Sequence, residues 1–191
     1  MSNLPLGLET QAPLETAHIF RISPLIGLTL WGFYLTLIVP LPCLAWATGA
    51  DLPLSWFIAG LVLGGAALQA ALSEQVHLDT EGMHIRYPFW VPGFFRQGWS
   101  LQWSMIQALK ARATGQGGRV YYLINSTETA YLLPMRVAGF ARMTQIIETQ
   151  TGLDMDAVKP LAQVWMYSIL LSLTVLLGLV DVWVLWAVVR G

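Results

Sequence analysis

From Pro24 to Ala50 the chain reads PLIGLTLWGFYLTLIVPLPCLAWATGA, without one Asp, Glu, Lys or Arg. Asp51 interrupts, and LPLSWFIAGLVLGGAALQAALS continues charge-free from Leu52 to Ser73. A bilayer-spanning helix needs about 20 apolar residues, so each run predicts a span. Thr48-Gly-Ala-Asp-Leu-Pro53 is short and turn-like, so the pair reads as an antiparallel hairpin. The first run starts too far into the chain, and is too long, to read as a cleaved signal peptide. Pro40 and Pro42 are expected to kink or shorten it, freeing backbone carbonyls that a neighbour must satisfy.

A third apolar run, Val164 to Val189, is broken only by Asp181. Trp165 and Tyr167 stand at one end, Trp183 and Trp186 near the other, as interfacial aromatic belts do. Asp181 reads either as interfacial, near the far headgroups, or as an intramembrane carboxyl facing a partner group. In the second run, Gly60-Leu-Val-Leu-Gly64 is a small-xxx-small pattern that lets another helix approach closely. That helix is either the first span or one from a partner subunit.

The composition of the whole chain agrees with this division. It has 191 residues, 55% hydrophobic and 11% charged, where a soluble domain is about 25% charged. A plain cytosolic enzyme and a disordered chain are excluded on that ground. A net charge of −1 gives no basic surface for nucleic acid. The single cysteine, Cys43, excludes an intramolecular disulfide and a cysteine-built zinc site. Eight of the ten Lys and Arg fall between residues 74 and 162, Arg21 lies in the N-terminal tail, and the hairpin turn has none. The positive-inside rule therefore places the tail and the middle region on the cytoplasmic or stromal side.

Residues 74–160 have the texture of a small folded domain. Gln75–Asp79 and Met83–Tyr87 alternate around the turn Thr80-Glu-Gly82, and Arg96–Leu101 reads as the next strand. A short helical turn at Gln102–Gln107 follows, then a weak strand at Ala108–Thr114, a glycine-rich turn at Gly115–Gly118, and strands at Arg119–Ile124 and Thr129–Leu133. Phe140, Met143, Ile146 and Ile147 mark one face of a helix that Thr151-Gly152 ends. The predicted order is antiparallel strands, then one amphipathic helix closing a strongly bent sheet: an α+β, PH-like arrangement. The expected units are a tail at 1–23, a helical hairpin at 24–73, the domain at 74–160 and a third span at 161–191.

Three features carry a further resemblance. They are Glu81-Gly-Met-His-Ile-Arg86, the loop Phe89-Trp-Val-Pro-Gly93 with Arg96 and then Trp103-Ser-Met-Ile106 after it, and Leu132-Leu-Pro134 before the helix. With the two-helix hairpin, the chain from about residue 24 to 158 resembles bacterial PH-like membrane proteins. More narrowly it resembles the photosystem I assembly factor family of cyanobacteria and chloroplasts. The run at 164–189 departs from that family. The resemblance implies a thylakoid or bacterial inner-membrane scaffold whose partners are other membrane proteins, such as photosystem I subunits or the photosystem II D1 module. None of these motifs is a catalytic signature, and neither enzyme activity nor a cofactor is expected.

No catalytic constellation appears: no Gly-x-Ser-x-Gly, no Gly-x-x-x-x-Gly-Lys, no His-Glu-x-x-His. The glycine-rich Gly115–Gly118 leads into a strand, which favours a hairpin turn over a phosphate cradle. His77 and His84 flank a turn and could lie across adjacent strands. No acidic or thiol ligand stands at matched spacing beside them, so no metal site is expected. The candidate partner-binding residues are Trp90, Phe94, Phe95, Arg96 and Trp99 around the aromatic loop, with Gly60, Gly64 and Asp181 in the spans. The loop aromatics have three open readings: they complete the small core, sit at headgroup depth, or fill a pocket on a partner. Rival functions are a PH-like membrane protein of lipid- or stress-related role, a membrane enzyme using Asp181 with His77 or His84, and a pigment-binding subunit.

Overall fold

Proline starts and breaks the first span. The structure, a computed structural model, describes residues 17–49, 53–115, 118–160 and 164–190. Helix α1 (Pro24–Ile38) ends where Pro40 lacks the N–H that would reach Thr36, and α2 (Pro40–Ala47) resumes at once. The two make one segment, Pro24–Ala47, long and apolar enough to cross a membrane. Helix α3 (Leu54–Leu72) is the second such segment, and Trp165–Ala187 is the third. Of the expected 48–53 turn, residues 50–52 lie outside the described residues.

The spans pack through small residues and internal hydrogen bonds, as apolar surroundings require. Tyr34 of α1 lays its ring over Gly64 of α3 and donates its hydroxyl to the carbonyls of Gly60 (3.0 Å) and Leu61 (2.8 Å). Trp31 covers Gly65 and donates to Gln69 Oε1 at 3.2 Å. A Cβ at Gly64 would stand 2.6 Å from the Tyr34 hydroxyl. The helix α5 (Val164–Arg190) lies alongside α1. Gly32 opposes Thr174 and Gly178 opposes Thr36, so α1 and α5 run parallel.

The extramembrane part contains two antiparallel sheets. The first has strands β1 (His18–Arg21), β2 (Gln75–Leu78), β3 (Gly82–Arg86) and β4 (Trp99–Gln102), in that spatial order. A 3-10 turn at Trp103–Met105 then leads to β5 (Ile106–Ala113), β6 (Arg119–Asn125) and β7 (Ala130–Leu132), the second sheet. Helix α4 (Phe140–Thr151) follows and stops at Gly152, whose φ of +70° suits a residue without a side chain. Phe140, Met143, Ile146 and Ile147 are all buried, the face expected from their spacing. They join Val76, Leu78, Met83, Leu101, Leu123 and Leu133 in one core shared by both sheets.

The expected tail at 1–23 is corrected in its last part. His18–Arg21 pairs antiparallel with Gln75–Leu78 and buries Phe20, so the domain takes in chain from before the first span. The expected strand at Arg96–Leu101 begins only at Trp99, because the aromatic loop extends to Gly98. There the chain passes so close to β3 that a Cβ on Gly98 would overlap the Ile85 carbonyl oxygen. Gln116 and Gly117 of the glycine-rich turn lie outside the described residues; around them Thr114 N–H donates to Gly118 O at 2.7 Å, as a hairpin turn does.

Candidate functional site

The topology fixes which end of the first sheet faces the membrane. Arg21 stands three residues before α1, and Gln75 three residues after α3. Arg21 pairs with Gln75, and Gln75 with Arg86, so these three form the row of the sheet nearest the spans. The loop from Tyr87 to Gly98 leaves β3 just past Arg86 and enters β4 at Trp99. It therefore lies at the membrane-proximal rim, and the Asp79–Gly82 turn lies at the opposite end.

One carboxylate ties both ends of this loop to the end of α3. Tyr87 donates its hydroxyl to Glu74 Oε2 at 2.7 Å, and Arg96 Nη1 stands 3.9 Å from the same oxygen. Burial, the hydrogen bond to Glu74 and the Glu74 charge push the Tyr87 phenol up to about 12, so it remains a donor at any physiological pH. Two proline turns shape the segment between: Val91 N–H donates to Pro88 O, while Phe95 and Arg96 N–H both donate to Pro92 O.

The loop turns its aromatics outward. Val91 alone in Pro88–Phe95 is buried, whereas Phe89 is 101% and Phe94 92% exposed. Trp90 and Phe95 are also exposed. The reading in which Phe89, Trp90 and Phe94 complete the core is thereby excluded. Trp99 behaves differently: it is partly buried, its ring centroid 5.0 Å from that of Tyr131, so it bridges the two sheets. Arg96 is exposed and held by Glu74.

Glu74 and Arg96 also line a cleft of about 240 Å³ under the domain. Ile22, Ala71 and Met135 contribute apolar walls, and Arg136 also lines it. The segment carrying Arg136 is fixed to the first span: Ser23 N–H donates to Arg136 O at 3.0 Å, and Ala138 N–H to Arg21 O at 2.8 Å. Nothing in the sequence marked Arg136 or this cleft, because its walls come from five separate stretches of chain.

The remaining candidates are dispersed. Gly60 and Gly64 lie within the membrane, and the groove at Gly64 is filled by Tyr34 of the same chain. Gly60 itself is exposed, with open space where a Cβ would stand. Asp181 is partly buried in α5, with Oδ2 shielded and lacking a hydrogen-bond partner among the described residues. At ~1.5 Å per residue it lies about 24 Å along the helix from Trp165, level with the Val39–Pro40 break of the parallel span. It is far from the aromatic loop, so the spans and the loop offer separate contact surfaces.

His77 and His84 are directly opposed on β2 and β3, as their spacing allowed. His84 Nδ1 is 2.9 Å from Ser100 Oγ, and its Nε2 is 3.1 Å from Asp79 Oδ2. Burial, then Arg86, His84 and Arg21, lower the His77 imidazole below its ordinary value. Burial would raise the Asp79 carboxyl, but N–H groups of Gly82 and Glu81, with His84, outweigh it and hold Asp79 low. His84 thereby links the Asp79 turn to Ser100 of β4. The carboxylates of Glu148, Asp154 and Asp156 gather within 4.8 Å of one another, with Asp154 and Asp156 in the open. Exposed acids of this kind at a helix end need no ion.

A cyanobacterial protein, the uncharacterized protein slr0269 of a Synechocystis species, is 53% identical over 165 residues, covering 85% of this chain and 83% of its own length. The chain belongs to the slr0269 family. Its relative's name specifies no activity, ligand or partner. No family model matches the chain, and no solved structure matches it. The slr0269 relationship spans most of both chains, and the three helices of this chain that are long and apolar enough to cross a bilayer fit a membrane protein.

Proposed function

We propose that the protein is a non-enzymatic membrane scaffold that grips other integral membrane proteins during assembly of a photosynthetic complex, a photosystem I or photosystem II D1 module. The observation that carries this reading is the aromatic loop: two fully exposed phenylalanines on a segment held at both ends by Glu74, at the rim nearest the membrane. Exposed apolar patches of this kind mark interaction sites, and a pre-ordered loop loses little entropy on docking. The domain is of the PH-like type in this reading, supported by a four-stranded and a three-stranded antiparallel sheet followed by one helix. The cyanobacterial relative supports a thylakoid location with the domain on the stromal side, as the Lys and Arg distribution does.

The spans supply the second half of the grip. Gly60 keeps an open surface on α3, and Asp181 presents a shielded carboxyl oxygen that a donor on a neighbouring helix would satisfy. Affinity isolation of the tagged protein in mild detergent, followed by mass spectrometry, tests the proposal. Photosystem subunits or their assembly intermediates should be enriched at least tenfold over an untagged control. Recovery of the protein alone would refute it and favour the lipid- or stress-related reading.

A further inference from the structure

We infer that the cleft between Arg96 and Arg136 is a binding site for the headgroup of an anionic membrane lipid, a phosphate or sulfonate held at the junction of the domain and the spans. Its depth follows from the chain: Ile22 lies two residues before α1, and Ala71 lies in the last turn of α3. The opening is therefore at headgroup level, with apolar walls continuing toward the acyl region.

The charges select an anion. Two guanidiniums line the cleft against one carboxylate, Glu74, whose Oε2 is already taken up by Tyr87 and Arg96. Arg136 has no ion-pair partner among the described residues. Arg21 and Arg86, in the membrane-proximal row of the first sheet, add positive charge at the same level. Guanidinium groups bind phosphate and sulfonate oxygens, and the net positive charge around the cleft favours a headgroup of net negative charge over a zwitterionic one, whose ammonium it repels.

The shape selects a lipid. A second hollow, also about 240 Å³, shares Met135 and Arg136 with the first. It is lined by Leu25 and Ile26 at the start of α1 and by Tyr167 near the start of α5. Arg136 thus lines both a charged cleft and a hollow that includes apolar residues at the starts of two spans, the division of polar and apolar surface that a glycerolipid presents. Each volume is below the ~300–1,000 Å³ of pockets that enclose a drug-sized molecule, and suits a headgroup and the start of a chain.

The experiment uses the purified full chain in neutral detergent, with phosphatidylglycerol or phosphatidylcholine added, and counts retained lipid by native mass spectrometry. Phosphatidylglycerol should be retained at least fivefold more than phosphatidylcholine. Arg136→Gln should reduce that preference about fivefold, near 1 kcal/mol for one interfacial arginine, with Arg136→Lys keeping most of it. Arg142→Gln, on the outer face of α4 and lining neither hollow, should leave it unchanged; circular dichroism establishes that each variant is folded. Equal retention of the two lipids by the wild-type chain, or an unchanged preference in Arg136→Gln, would overturn the assignment. Displacement of the lipid by equimolar glycerol 3-phosphate would also overturn it, by showing that the site takes a soluble phosphate.

Discussion

Phe89→Asp with Phe94→Asp should lower recovery of membrane-protein partners by tenfold or more while leaving the protein folded and inserted. Neither ring contributes to the core, since both stand almost fully in solvent. Their removal therefore costs the free protein little. In a complex, burying a phenylalanine is worth about 1.5–3 kcal/mol, and placing a carboxylate in that pocket adds a desolvation penalty. Loss of both anchors amounts to well over a tenfold change in affinity. Quantitative mass spectrometry of affinity isolates reads the effect, with thermal unfolding of the same preparation as the control. Unchanged partner recovery would remove the loop from the binding surface.

Leu123→Ala should have the largest effect on stability. Leu123 sits at the middle of β6, fully buried, paired across the second sheet with Leu109 on one side and Tyr131 on the other. The core around it combines residues of both sheets and α4, so surrounding side chains cannot close the gap without moving a whole element. Truncations of this kind cost about 2–5 kcal/mol, a large part of the ~5–15 kcal/mol that holds a domain folded. Limited proteolysis of the detergent-solubilised full chain should show much faster cleavage within 75–158. Fragments of the three spans should persist, since their packing through Tyr34, Gly64, Gly32 and Thr174 does not involve Leu123. A cleavage rate equal to that of wild type would contradict the shared core.

The spans were legible because a charge-free apolar run of about 20 residues seldom suits anything but a bilayer-crossing helix. Helix α4 was equally legible, since Phe140, Met143, Ile146 and Ile147 can share a face only at helical spacing, and Gly152 supplies the left-handed cap. Strand β1 was not. Its four residues carry too short an alternation to stand out, and its stability comes from pairing with Gln75–Leu78 across an entire helical hairpin. The aromatic loop illustrates a different limit. Phe89, Trp90, Phe94 and Phe95 have the same composition whether they fill a core or face a partner, and only the folded loop, anchored by the Tyr87–Glu74 hydrogen bond, shows them turned outward. Trp99 has the sequence context of that surface but is drawn inward by Tyr131, a residue its own neighbourhood in the chain does not reveal. That Arg96 and Arg136 line one cleft is visible only once the domain is assembled.

The central claim is that the loop touches a membrane-protein partner, and a photoreactive amino acid placed at Phe94 tests it most directly. Phe94 is 92% exposed, so the substitution leaves the core intact. After irradiation of membranes from cells expressing this variant, the expected result is a discrete crosslinked band containing a photosystem subunit or assembly intermediate. The same probe at Arg142, on the outer face of α4, should give no such band. Crosslinking at Phe94 to lipid alone, with no protein adduct, would contradict the scaffold reading.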